Sequence, residues 1–450
     1  MIFSPLKASR ARVDFVISAF VFGLMLVALV PQTTHAQSLD RIERERALSM
    51  LNIVKGDLKS NYYDPNFRGM DVDARFKTAE EKVKAATSLG QAFGIIAQAL
   101  LDLNDSHTLF IPPRRPETIT YGWQMQMIGN KCYVVAVKPG SDAAAQGLKE
   151  GDQVISFMGF KPSRKEFWKM NYYFNLISPR PALRAVVQSP GGEPREMELK
   201  AKIKTGAVVL NLTKDLEIND YLRNIEDNYM AGRHRYYDDV GGVFLWKMPE
   251  FDLSEKGVDE LVDKAKKRDA VILDLRSNPG GAIKTLLRLI GNFFDKDIRM
   301  ADAKERKDTK PEIAKTRGKS PYMGKLFVLI DSESSSSAEL FARTIQLEKR
   351  GLVIGDLSSG KVMRARRYTH DLGAETQVSF GVGITNADYI MADGKSLEDV
   401  GVTPDELLLP TGEDMAAKRD VVLARAFHLA GVTGMTPEKA GTLFPIIWEK

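Results

Sequence analysis

Ser336 stands where an apolar strand gives way to a helix, in the run Asp331-Ser-Glu-Ser-Ser-Ser-Ser-Ala-Glu339 that follows Phe327-Val-Leu-Ile330. A serine hydroxyl is a weak nucleophile near neutral pH. To attack an acyl carbon it must be presented at a sharp turn, given a proton acceptor and faced with N–H donors aimed at the developing oxyanion. The helix-like stretch from Ser337 to Gln346 would place the Ser337 N–H beside the attacking oxygen, with the positive end of the helix dipole behind it. A second donor is available upstream, where Val271-Ile-Leu-Asp-Leu-Arg-Ser-Asn-Pro-Gly-Gly281 reads as a buried strand breaking into a turn that frees the Gly280 or Gly281 N–H. The plainer reading of Ser336-Ser-Ala-Glu339 is a helix N-cap with its capping box.

Two side chains are candidate bases. Lys361, in Ser359-Gly-Lys361, could serve if burial lowered its pKa enough to leave it neutral. His107, in Leu103-Asn-Asp-Ser-His-Thr108, carries an imidazole suited to taking a serine proton near pH 7. The other histidines are His35, His234, His370 (in a polar turn) and His428, and no pair has metal-ligand spacing, so neither metal nor cofactor is expected. Gly355-Asp-Leu-Ser-Ser-Gly-Lys361 matches the start of a phosphate-binding loop but fails at Val362, where a magnesium-binding hydroxyl is needed. It also runs into Arg364-Ala-Arg-Arg367 instead of a helix.

These segments resemble the C-terminal processing (tail-specific) serine peptidases and their tricorn-like relatives. The resemblance rests on Asp274-Leu-Arg-Ser-Asn-Pro-Gly-Gly281, Ser334-Ser-Ser-Ser-Ala-Glu339, Gly355 to Lys361 and Gly401-Val-Thr-Pro-Asp405, in that order, and covers roughly residues 40 to 410. It implies an α/β chain with a crotonase-like (ClpP/crotonase-type) catalytic core, with the nucleophile at Ser336. The base stays open. Lysine-dependent members place it at Lys361, often oriented by Gln or Glu four residues on, where this chain has Ala365. Tricorn-like members use a histidine and a late glutamate, which fall on His107 and Glu398. The competing class is a non-catalytic member that binds peptides without cutting them, suggested by Ala365 and by a serine-only elbow where relatives alternate serine with alanine.

The segments around these residues must position them. Residues 38–116 carry apolar residues at three-to-four spacing and predict a helical cap that delivers His107 and stops at Pro112-Pro-Arg-Arg-Pro116. Residues 117–204 read as short strands with glycine turns. Within them, Gly147-Leu-Lys-Glu-Gly-Asp-Gln-Val-Ile155 resembles an inserted PDZ-like β domain, which would take a peptide as an added strand around Tyr121, Gly122 and Trp123. Residues 205–412, beginning near Val208-Val-Leu210, alternate strand and helix patterns and predict parallel pairing. The basic stretch Lys304 to Lys319 reads as a solvated loop, and residues 413–450 as a C-terminal helical appendage.

Lys7, Arg10 and Arg12 precede the apolar run Phe15 to Val30 and the small-residue pattern Thr34-His-Ala36, which reads as a signal peptide over residues 1–36; a membrane anchor is the alternative. Export to a periplasm or the medium is expected, without a stable membrane span after processing. The single cysteine, Cys132, has no intramolecular partner, so stability must come from apolar burial. The formal net charge of +5 on 450 residues, with no dense basic face, argues against nucleic acid as a partner. Protein or peptide substrates, recognised through their C-termini, are the expected partners.

Overall fold

A computed structural model describes residues 39–205, 235–237, 239–373, 377–446 and 448. The signal-peptide segment 1–36, Val208 to Leu210 and His234 lie outside the described residues. The fold is mixed α/β. Strands are numbered in chain order.

Helices Arg41–Asn61, Val72–Lys84 and Leu89–Leu101 open the described chain, N-capped by Asp40, Asp71 and Ser88. Each cap side chain accepts a first-turn N–H that has no partner within the helix. Their apolar faces do not close on one another alone. Leu51, Val54, Leu58 and Ile96 share a core with Phe380, Val382 and Ile384 of β17 (Val378–Met391). This helical layer therefore lies on a sheet of order β1-β17-β12-β13, with β16 (Arg364–Leu372) also paired to β17. Strand β1 (Leu109–Ile111) begins two residues after His107, so pairing of Leu109 with Gly383 fixes where the histidine loop ends.

Strands β12 (Ile298–Glu305) and β13 (Thr309–Ala314) form an antiparallel hairpin in that sheet, which corrects the expected loop over Lys304 to Lys319. Met300, Ala301 and Ala303 of β12 are buried, and the charge density of the hairpin hid this short apolar run. His370 likewise sits in β16 rather than in a turn, with Nε2 2.6 Å from Asp57 Oδ2.

The second layer is the sheet β18-β15-β14-β11-β10-β9. Strands β10 (Val243–Lys247), β11 (Ala270–Asp274), β14 (Lys325–Ile330), β15 (Leu352–Gly355) and β18 (Glu406–Leu407) pair in parallel, as the strand-helix alternation predicts. Short β9 (Arg235–Tyr237) closes the edge antiparallel to β10. Both faces are covered, so the strands read as unbroken apolar runs. Phe244, Trp246, Val271, Leu273 and Val328 face helices Glu255–Ala265, Ile283–Gly291 and Ser337–Leu347. Val243, Leu245, Ile272 and Leu329 face helix Val421–Ala430 on the other side. The expected appendage is thus the cover of one sheet face.

Between β1 and β9 lies a separate antiparallel sheet, β3-β4-β5-β6-β7: β3 (Trp123–Ile128), β4 (Lys131–Val137), β5 (Gln153–Phe157), β6 (Ala182–Gln188) and β7 (Arg195–Lys200). It has its own core of Val134, Val154, Phe157, Leu183, Val187 and Leu199. Strands β2 (Glu117–Thr120) and β8 (Lys202–Thr205) pair at its base, where the chain enters and leaves. Asp356 and Arg164 tie it to the parallel sheet: the Gly129 N–H donates to Asp356 Oδ2 at 2.8 Å, and Arg164 donates to the Leu357 carbonyl at 2.9 Å.

Candidate active site

Ser336 occupies the residue before helix Ser337–Leu347 with φ 54° and ψ −119°. A side chain held at positive φ costs on the order of 1–3 kcal/mol and persists only where its surroundings fix it. Here they do. The Ser336 N–H donates to the Lys361 carbonyl at 2.8 Å and to Glu339 Oε2 at 3.1 Å. Glu339 is fully buried and also accepts from the N–H groups of Gly360 (2.7 Å) and Lys361 (3.0 Å) and from the Ser358 hydroxyl. One carboxylate therefore clamps the serine elbow to the lysine loop. Burial pushes its pKa up to about 7, against the pull of these donors. The capping reading of Ser336-Ser-Ala-Glu339 and the nucleophile reading are thus compatible, because the residue that caps the helix also presents the serine.

The glycine turn presses on the elbow from the other side. At Gly280, where φ is 103°, an added Cβ would lie 2.6 Å from Ser336 Cβ and 3.0 Å from the Ser337 nitrogen, so only glycine allows the approach. The Gly280 N–H is engaged, donating to Asn278 Oδ1 at 2.8 Å, which takes it out of the donor set expected from sequence. Among the described residues, neither the Gly281 nor the Ser337 N–H has a protein acceptor. Asp331 holds turn and elbow in register by accepting from the N–H groups of Ser277 (2.9 Å) and Ser334 (3.0 Å).

His107 lies across the same cavity, of about 1390 Å³, whose walls also include Ser336, Ser337, Gly281 and Lys361. Its loop is pinned by buried Asp105, which accepts the His107 N–H (2.9 Å), the Thr108 N–H (3.0 Å) and the hydroxyls of Thr385 (2.7 Å) and Tyr62 (2.8 Å). Burial pushes the imidazole pKa down to about 4; the Asp105 charge opposes that fall and the Lys361 charge adds to it. The ring is therefore neutral near pH 7, as a base must be.

Glu398 does not contact His107. Its carboxyl accepts the N–H groups of Ser106 (3.0 Å) and Val362 (2.8 Å), while the Ser106 hydroxyl lies 2.7 Å from His107 Nδ1. Ser106 thus stands between the two residues, and sequence reading passed over it. The signal was its place in Asp105-Ser-His107, where it could have been anything small. Burial, reinforced by the nearby Asp105 charge, pushes the Glu398 pKa up to about 8.

Lys361 has its ammonium 5.6 Å from the Trp168 ring centre. Ala365 lines the cavity and offers no orienting group. Tyr121, Gly122 and Trp123 form part of the same cavity wall on the antiparallel sheet. The Trp123 side chain is buried, with an indole N–H that has no acceptor among the described residues. Among the described residues strand β3 pairs only with β4, and its Met127 carbonyl accepts the Ser332 hydroxyl, so the edge of this sheet abuts the serine loop. No group of metal-ligating side chains occurs among the described residues.

Residues 241–408 match the model of peptidase family S41. Over that segment, 168 of the 450 residues, the chain is similar to the serine peptidases of this family. It is 23% identical over 363 residues to the carboxy-terminal processing protease CtpA of Bacillus subtilis, covering 78% of this chain and 69% of the relative. It is 24% identical over 327 residues to the tail-specific protease of Haemophilus influenzae, covering 67% of this chain but only 43% of that protein. A putative tricorn protease homolog of Streptomyces coelicolor is 23% identical over 403 residues, covering 83% of this chain and 31% of the relative. In fold, the chain is similar to mature CPAF, with a TM-score of 0.62 over 83% of this chain and 94% of that one at 14% identity.

Proposed function

We propose that the protein is an exported serine endopeptidase in which Ser336 is the nucleophile and His107 its base. The observation that carries this reading is the positive-φ serine flanked by two N–H groups without acceptors, in one cavity with an imidazole kept neutral by burial. Ser336 Oγ attacks the scissile carbonyl while His107 Nε2 takes its proton. The Ser337 and Gly281 N–H groups receive the oxyanion. His107 then returns the proton to the leaving amine, and water admitted to the acyl-enzyme repeats the sequence.

For Nε2 to accept, Nδ1 must carry the other proton and donate it to Ser106 Oγ, whose own proton turns to Glu398. Imidazolium formation favours an ionised Glu398 at the far end of this chain, so the charge arises where a counter-charge can follow. Lys361 lies on the cavity wall and is the alternative base, at the position that the lysine-dependent relatives use.

The antiparallel sheet over 117–204 is read as an inserted PDZ-like domain that holds a peptide C-terminus near Tyr121, Gly122 and Trp123, and the parallel sheet with its helices as a crotonase-like core. Export follows from the basic and apolar N-terminal segment; no helix among the described residues is long and apolar enough to cross a membrane. Hydrolysis of casein by the purified protein, lost on Ser336→Ala with an unchanged Tm, is the expected result. Retained hydrolysis would remove Ser336 from the mechanism.

A further inference from the structure

The chain after the last helices returns to the cavity. Helices Val421–Ala430 and Pro437–Gly441 pack on the parallel sheet, with Val422, Leu423, Phe427 and Ala440 in its core. From there Phe444, Pro445, Ile446 and Trp448 become part of the wall of the cavity that holds Ser336 and His107. Phe444 still packs against that core, and ring and polar contacts hold the segment as well. The Arg235 guanidinium lies over the Phe444 ring at 5.1 Å and donates to the Pro445 carbonyl at 3.1 Å, and the Tyr237 hydroxyl bonds the Leu443 carbonyl. At the far end Trp448 reaches the antiparallel sheet, its ring 5.9 Å from Lys138 Nζ, beside the wall residues Val137 and Pro139.

We propose that Phe444, Pro445, Ile446 and Trp448 are resident competitors for this arm of the cavity, and that the arm accepts an aromatic side chain of a substrate peptide when they leave. The inference rests on the peptidase reading above. Three physical facts support it. The segment puts Phe444, Ile446 and Trp448, all only partly buried, into a space that a peptide must enter. Beyond the packing of Phe444 on the sheet's core, its hold includes contacts to a cation, a ring and single carbonyls at the rim, each of which a peptide could take over. The contact at Lys138 is an ammonium over an aromatic face, a geometry that any peptide bearing Trp, Tyr or Phe could reproduce.

The test uses the full chain, its Trp448→Ala variant and a fluorescein-labelled peptide of sequence 443–448 with blocked ends. An exposed cation–π contact of about 0.5–1 kcal/mol corresponds to about two- to fivefold in affinity. The expected results are a two- to fivefold lower KM for casein in Trp448→Ala with kcat unchanged, and tighter binding of the labelled peptide by that variant than by wild type. Adding Lys138→Ala should weaken that binding again. An unchanged KM, no peptide binding to Trp448→Ala, or a raised KM at unchanged Tm would overturn the inference, the last because it makes Trp448 a wall rather than a competitor. Repeating the binding in Ser336→Ala separates the two claims: binding without hydrolysis by any version of the chain would sink the peptidase reading and leave the competitor standing.

Discussion

His107, Ser106 and Glu398 form a series in which each residue touches the next and only the middle one is small. Substitutions along it should differ in size. His107→Ala is expected to lower kcat by about 10²–10⁴-fold, the usual contribution of a general base, and Lys361→Ala by much less. Ser106→Ala removes one hydrogen bond to the imidazole and should lower kcat by about tenfold or less. Steady-state kinetics on casein decide among them. A dead Lys361→Ala beside a fully active His107→Ala would assign the base to the lysine.

The pKa shifts add a pH signature. Folded His107 resists protonation until about pH 4, so the acid limb of kcat/KM should fall well below the ordinary imidazole value of 6.5. Glu398 is shifted the other way. Its folded pKa of about 8 exceeds its unfolded value near 4.5, so its protonated form contributes stability that is fully present below pH 4.5 and lost as pH rises through 8. Glu398→Gln should therefore flatten the fall of Tm between pH 5 and 8 relative to wild type, and parallel Tm profiles would contradict the burial argument.

Among the elements, the serine elbow depends on what lies against it. Glu339 accepts four hydrogen bonds, three of them from backbone N–H groups of the elbow and the lysine loop. Glu339→Ala would remove the acceptor of the Gly360 and Lys361 N–H groups, at about 1–3 kcal/mol for each buried donor left unmatched, while the Ser336 N–H keeps the Lys361 carbonyl, so a lower Tm and a lower kcat are expected together. Gly280→Ala should be inactive, because its methyl would lie 2.6 Å from Ser336 Cβ and its φ of 103° is unfavourable for alanine. A Gly280→Ala enzyme with wild-type kcat would mean that the turn does not abut the elbow in solution.

This level was only partly legible in the sequence. The parallel strands announced themselves through Val271-Ile-Leu and Phe327-Val-Leu-Ile330, because strands buried on both faces spell continuous apolar runs. The β12-β13 hairpin and β16 did not, because their exposed faces carry Lys304, Lys307, Lys310 and Arg366, which disguise a strand as a solvated loop. The donor set was read one residue too broadly, since nothing in Asn278-Pro-Gly-Gly281 says that Asn278 will take the Gly280 N–H.

At the scale of the molecule, three separately built layers converge on one cavity: helix Leu89–Leu101 and β1 frame the histidine loop, the parallel sheet carries serine and lysine, and the antiparallel sheet supplies the Trp123 wall. Sequence order separates His107 from Ser336 and Glu398, so their meeting could be expected only by resemblance, whereas the Ser336 and Gly281 pairing follows from adjacent strand ends of β11 and β14. The account stands or falls on whether Ser336 is an activated nucleophile. Purified protein should therefore be treated with a fluorophosphonate and digested, and the adduct located by peptide mass spectrometry. The account predicts a single adduct on Ser336, absent from Ser336→Ala and strongly slowed in His107→Ala. An adduct on another serine, or none in a protein that hydrolyses casein, would contradict it.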